Sequence, residues 1–116
     1  MGYMRHHAIV VTSWNEEALN DAHKKAGSIF GPEQVTNILP DIMNGYRSFM
    51  IGPDGSKERW KESDIGDKRR DEFIDYCESV RLEDRSTYLD WVEVQYGDDE
   101  KETRICRDSD AIWRNQ

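Results

Sequence analysis

The spacing of apolar residues predicts a strand followed by a helix at the start of the chain. Residues 7–12 form a β-branched run that is apolar on both faces, which is typical of a central strand. Apolar residues then recur at steps of three and four, which predicts an amphipathic helix over residues 14–30 that ends at Gly31. Ser13 and Glu16 have the spacing of a capping box at its start.

The middle of the chain alternates between turn signals and short apolar stretches. Residues 35–39 are a short edge-strand candidate, and residues 46–51 follow an Asn-Gly turn as a second strand. The Pro-Asp-Gly sequence at residues 53–55 predicts another turn, after which residues 57–60 return as a short strand. This part of the chain therefore predicts a meander of two or three strands.

The last third of the chain predicts a helix and a hairpin. Apolar residues at steps of three and four predict a helix over residues 67–80. Residues 87–96 are the longest strand candidate, with Val92 and Val94 expected on the core face. Residues 103–107 return antiparallel to that strand after a polar loop.

This order of elements predicts a single α+β domain over residues 1–116. We expect a two-layer sandwich with an antiparallel or mixed sheet of five to six strands and two helices on one face, in a ferredoxin-like arrangement with an extra hairpin. The ends, residues 1–6 and 108–116, are expected either to fray or to dock. The expected core consists of Ile9, Val11, Leu19, Ala22, Ile29, Phe49, Ile51, Phe73, Cys77, Val92 and Val94.

Charge and composition narrow the classes of partner. Lys and Arg number 16 against 24 Asp and Glu, which gives a net charge of -8 and disfavours nucleic-acid binding. No apolar run approaches the ~20 residues of a membrane-spanning helix, so we expect no membrane association. Cys77 and Cys106 are expected to be reduced packing thiols of a cytoplasmic protein.

The sequence contains no recognisable catalytic or metal-binding motif. His6 and His7 are adjacent on a strand and point to opposite faces, so they cannot easily bind one metal ion. The spacings of zinc ligands and of nucleotide-binding loops are missing. We therefore expect no metal, no organic cofactor and no catalytic residue, and the alternative is a small hydrolase that uses His7 or His23.

Local charge indicates a bipolar surface. Residues 81–100 contain seven acidic and two basic residues, whereas residues 57–70 contain six basic and four acidic ones. Trp60 lies within the basic stretch, and Trp and Arg are enriched at binding hot spots. The residues expected to bind a partner are Lys57, Arg59, Trp60, Arg69, Arg70, Asp98, Asp99 and Glu100. The alternative to a binding surface is ordinary surface salt bridging, each pair contributing ~0–1 kcal/mol.

Three stretches carry a resemblance to a group of small proteins. Residues 46–67, which include the sequence Gly-Pro-Asp-Gly-Ser-Lys, resemble small proteins from bacteriophage and prophage genomes. The resemblance extends to residues 7–11 and 90–98. It implies an accessory phage protein in the host cytoplasm and brings no catalytic residue with it.

These observations together predict a non-enzymatic binding protein. It would act on a protein partner through an acidic surface and an aromatic and basic patch, as a monomer or a homodimer. A protein that sequesters a small nucleotide signal is a further alternative, and it would place Arg59, Arg69 or Arg70 beside an aromatic side chain in a pocket.

Overall fold

The computed structural model describes residues 3–114, which form one antiparallel sheet and three helices. The elements in chain order are β1 (His6–Ser13), α1 (Glu16–Phe30), β2 (Arg47–Ile51), α2 (Lys61–Ser79), β3 (Asp90–Tyr96), β4 (Arg104–Asp108) and α3 (Ala111–Arg114). The strand order is β2-β1-β3-β4, and every neighbouring pair is antiparallel. The predicted α+β class and the central position of the first strand are confirmed.

The core lies between one face of the sheet and the two long helices. Ile9 and Val11 from β1 point to this inner face, and α1 contributes Leu19 and Ala22 while α2 contributes Phe73. These side chains are removed from water, and each large one stabilises the fold by about 1.5–3 kcal/mol relative to an exposed position. Nine of the eleven predicted core residues belong to this cluster or pack against it: Ile9, Val11, Leu19, Ala22, Ile29, Phe49, Ile51, Phe73 and Cys77.

The predicted strand count and arrangement are wrong. The described part of the chain has four strands rather than five or six, because residues 57–60 form a turn and residues 35–39 make a single bridge, from Val35 to Ile51. Residues 35–39 still run along the outer edge of β2, where the Leu39 amide donates to the Ser48 carbonyl. A ferredoxin-like fold has two adjacent strands between its helices, whereas here only β2 separates α1 from α2.

The two helices begin at different positions from those predicted. The side chain of Asn15 caps α1 by accepting from the Ala18 amide, so the predicted capping box of Ser13 and Glu16 is wrong. Helix α2 begins at Lys61, six residues before the predicted start at residue 67. Its first turns bury only Ser63 and Gly66, so they carry no apolar stripe that the sequence could reveal. A Cβ atom at position 66 would lie 2.6 Å from Oδ2 of Asp54, so a larger residue there would force the Asp54 side chain to shift.

The faces of β3 are reversed relative to the prediction. Trp91, Glu93 and Gln95 are buried on the inner face, whereas Val92 and Val94 are half-buried on the opposite face. The prediction of Val92 and Val94 as core residues is therefore wrong. The inner position of Glu93 is favoured by two arginines that come from other elements, as described below.

The predicted behaviour of the chain ends is tested only for the described residues. Residues 6 and 108 lie in strands, and α3 occupies residues 111–114 of the segment that was expected to fray or dock. Residues 1–2 and 115–116 lie outside the described part of the chain. Between residues 3 and 114, no helix is both long and apolar enough to span a membrane.

Candidate interaction surfaces

The side of the sheet that faces away from α1 and α2, here called the outer face, is largely aliphatic. Its exposed or half-exposed aliphatic side chains are Val10, Met50, Val92, Val94 and Ile105. The strand register brings them together, because Val10 pairs with both Met50 and Val92 while Val94 pairs with Ile105. Ile105 is 60% exposed and Met50 is 37% exposed. The aliphatic cluster thus extends across all four strands.

Only one end of the outer face has a described element beside it. There, Asp110 and Arg114 from the region of α3 line a depression of about 270 Å³ together with Val10, Val92 and Ile105. The solvent-facing side of an antiparallel sheet normally carries polar residues at these positions. The five aliphatic side chains on the outer face therefore depart from the usual polar pattern of a solvent-facing sheet.

The loop between β3 and β4 is held against the N-terminal strand by the predicted acidic residues. His6 Nε2 lies 2.8 Å from a carboxylate oxygen of Asp98, and the Met4 amide donates to Asp99 over 2.8 Å. Arg5 reaches Glu100 at 3.4 Å. Asp98 and Asp99 remain exposed, so the loop presents negative charge beside the end of the outer face that carries His6 and Tyr96.

The predicted aromatic and basic residues lie next to this acidic loop rather than at an opposite pole. Lys57 Nζ lies 5.5 Å from the ring centroid of Trp60, which is exposed just before α2. The Glu58 amide donates to the Tyr3 carbonyl, and the Glu58 carboxylate accepts from Arg5 over 2.9 Å. Since Arg5 also contacts the acidic loop, these contacts form one charged end of the molecule, here called the Trp60 end.

The three predicted arginines are placed differently. Arg59 is exposed next to Trp60, with a φ of 76°. Arg69 is exposed on α2, whereas Arg70 is buried and points to the sheet. The structure therefore keeps Arg59 in the predicted patch and separates Arg70 from it.

Arg70 lies in an ionic cleft between α2 and the inner faces of β3 and β4. Glu93 at its centre is 3.4 Å from Arg70 and accepts two hydrogen bonds, of 2.7 and 3.2 Å, from Arg107. Arg70 also pairs with Asp67, and Arg107 pairs with Asp71. The hydrogen bonds that Arg107 donates to Glu93 raise the pKa of Arg107, so its guanidinium stays charged. The cleft has a volume of about 350 Å³, and its central charges are paired within the protein.

His7 lies in the wall of the same cleft. Burial, together with Arg70 and Arg5, lowers the pKa of His7 and keeps the ring neutral at pH 7. His23 lies elsewhere, where its Nε2 contacts the Thr36 carbonyl at 2.8 Å. The structure therefore does not bring the two histidines together, and no metal-binding cluster of His, Cys, Asp or Glu occurs within residues 3–114.

A smaller groove lies where the start of α1 approaches the end of α2 and the segment that follows it. It is here called the α1–α2 groove and has a volume of about 220 Å³. Its lining consists of Asn15, Glu17, Ala18, Asp21, Tyr76, Val80, Leu82, Thr87, Tyr88 and Leu89. No residue of this groove was predicted as a binding residue, and the same is true of the outer face. Both surfaces depend on how elements pack together, which local sequence patterns do not report.

Comparison with known proteins does not assign a function to these surfaces. No protein family model, curated protein or solved structure matches the chain. The functional interpretation therefore depends on the geometry and chemistry of the surfaces themselves.

Proposed function

We propose that the chain is a non-enzymatic accessory protein of the phage type that binds another protein through its outer face. The observation that carries this proposal is the reversed polarity of β3, in which Val92 and Val94 point outward while Glu93 and Gln95 point inward. Water-exposed aliphatic clusters of this kind mark interaction sites, because covering them with a partner releases apolar surface from water.

The Trp60 end supports the same proposal as a charged border of the binding surface. Asp98 and Asp99 lie beside the aliphatic cluster and would attract a partner that carries basic residues around an apolar patch. Such charges act mainly on the rate of association, and salt weakens them. Trp60, which is 47% exposed just before α2, offers a large aromatic contact at the Trp60 end.

The alternative functions have less support from the ionic cleft. A hydrolase would need an activated group there, but the charges around Glu93 are already paired and burial raises the pKa of the nearby Cys106 thiol. A pocket for a nucleotide signal would need a large aromatic side chain beside Arg70, and the lining of the cleft contains no Phe, Tyr or Trp among the described residues.

The proposal is tested by capturing a partner and then measuring its affinity for matched variants. A photo-reactive amino acid at position 105 would cross-link the partner in the native host, and the purified partner would then be titrated. We expect Ile105→Lys to weaken binding at least about tenfold, because a charge enters the apolar contact. Ile42→Lys is the control, since Ile42 is 87% exposed in a loop away from the outer face. Equal affinities of the two variants would contradict the proposal.

A further inference from the structure

The α1–α2 groove combines an apolar floor with an acidic rim. Val80, Leu82 and Tyr88 contribute apolar surface, and each of them is about 40% exposed. The Tyr88 ring is held in place by an edge contact with Trp14, at 5.5 Å between ring centroids. The groove is thus a preformed apolar depression rather than a row of mobile side chains.

Two carboxylates on the rim form no salt bridge among residues 3–114. Glu17 and Asp21 are one helical turn apart on α1, so both face the groove. Lys24 and Lys25 follow along α1, and Lys25 Nζ lies over the Tyr76 ring at 6.0 Å from the centroid.

The guanidinium of Arg81, near the groove, is held by hydrogen bonds within the protein. Arg81 donates to Glu78 and to the backbone carbonyls of Arg85 and Ser109, each at 2.7 Å. The rim therefore carries two carboxylates, Glu17 and Asp21, that form no salt bridge among residues 3–114. The pKa of Tyr76 is raised by burial and by Asp21, which is consistent with a negative field on that wall.

The volume of the groove indicates which kind of ligand fits it. Pockets for small-molecule ligands and cofactors usually enclose ~300–1,000 Å³. The groove, at about 220 Å³, is smaller than that range and suits one large side chain. A side chain that projects from a partner polypeptide fits both this size and the open, elongated lining.

We propose that the α1–α2 groove is a second protein-binding site that takes one bulky apolar side chain of a partner segment. A lysine or arginine next to that side chain in the partner reaches Glu17 and Asp21 on the rim. The occupant is therefore a short basic segment with an apolar anchor. This site is separate from the outer face, which lies on the other side of the sheet from both helices.

A selection from random displayed peptides tests this proposal directly. The full chain is used as bait, and the bound peptides are sequenced. We expect the enriched peptides to share a bulky apolar residue beside a lysine or arginine. In an NMR titration with one such peptide, the largest amide shifts should fall at Asp21, Tyr76 and Leu82. A failure to enrich any sequence, an acidic consensus, or shifts confined to another surface would overturn the proposal.

Matched variants then separate the apolar and ionic contributions. Leu82→Lys should abolish peptide binding, whereas Leu39→Lys should leave it unchanged, since Leu39 is 60% exposed and lies beside β2. Glu17→Gln combined with Asp21→Asn should weaken binding about tenfold and remove most of its salt dependence. The control pair is Glu33→Gln with Asp64→Asn, which changes the net charge equally at exposed positions away from the groove.

Folding and self-association are followed in the same samples. Leu82 is 45% exposed, so we expect its variant to keep the parent circular dichroism spectrum and melting temperature. Sedimentation velocity reports whether a second copy of the chain occupies the groove. A dimer that Leu82→Lys converts to a monomer would overturn the proposal of a basic partner segment.

Discussion

Glu93→Gln should destabilise the fold strongly, because Glu93 connects two arginines across the ionic cleft. Glu93 is only 3% exposed and contacts both Arg70 and Arg107. Removing one partner of a buried ion pair costs about 3–5 kcal/mol. The Arg107 side chain is 40% exposed, so water screens its interaction with Glu93. The Arg70 side chain is 9% exposed and would keep its ion pair with Asp67. We therefore expect a loss of about 2–3 kcal/mol, somewhat below the full cost of a buried pair.

Urea unfolding followed by circular dichroism measures this loss. With a slope of about 1.5 kcal/mol/M, the midpoint should fall by about 1.3–2 M. Glu102→Gln is the control, since residue 102 is exposed and its side chain makes no ion pair among the described residues. Combining Glu93→Leu with Arg70→Met should recover most of the stability, because apolar side chains of similar size replace the pair. A midpoint for Glu93→Gln equal to that of the control would refute the stabilising role of the cleft.

Three further properties follow from the structure. Burial lowers the pKa of His7 below its ordinary value of 6.5, so the unfolded chain takes up the proton at a higher pH than the folded protein does. The free energy of unfolding should therefore fall as the pH drops below ~6.5. His7→Gln should flatten this dependence in urea titrations at several pH values. Cys106 should react with Ellman's reagent in the native protein, whereas Cys77, whose pKa burial raises to about 12, should react only on unfolding; two fast thiols would contradict this. Asn15→Ala should lower stability by about 1 kcal/mol through loss of the α1 cap, and an unchanged melting temperature would argue against the cap.

Local sequence patterns were sufficient for some elements of the fold. The β-branched run of β1 and the apolar stripe of α1 are strong periodic signals, and both elements lie where they were predicted within two residues. Helix α2 is different, because its first turns bury Ser63 and Gly66 against the turn that contains Asp54. Nothing in the local spacing distinguishes such a segment from a polar loop.

The register of β3 could not be predicted because large apolar residues occur on both of its faces. Val92 and Val94 lie on one face, whereas Trp91 lies on the other face and is also a typical core residue. The burial of Glu93 becomes favourable only when Arg70 and Arg107 arrive from α2 and β4. That pairing joins segments that are distant in sequence, so it is invisible to a pattern read along one strand.

The binding role of Trp60, Lys57 and the acidic residues 98–100 stays a prediction. Their relative placement differs from the expected bipolar surface. Arg5 brings them to the same end of the molecule by contacting both Glu58 and Glu100. The α1–α2 groove forms only when two helices and a loop pack together, so the sequence of a single segment does not predict it.

Methyl cross-saturation NMR of the complex with the captured partner tests the central claim most directly. Irradiation of the partner should attenuate the methyl signals of Val10, Val92, Val94 and Ile105, which lie on the outer face. The methyl groups of Ile9 and Val11, which lie in the core on the inner face, should keep their intensity. Attenuation that spares the outer-face methyl groups and falls on other surface residues would contradict binding through the outer face.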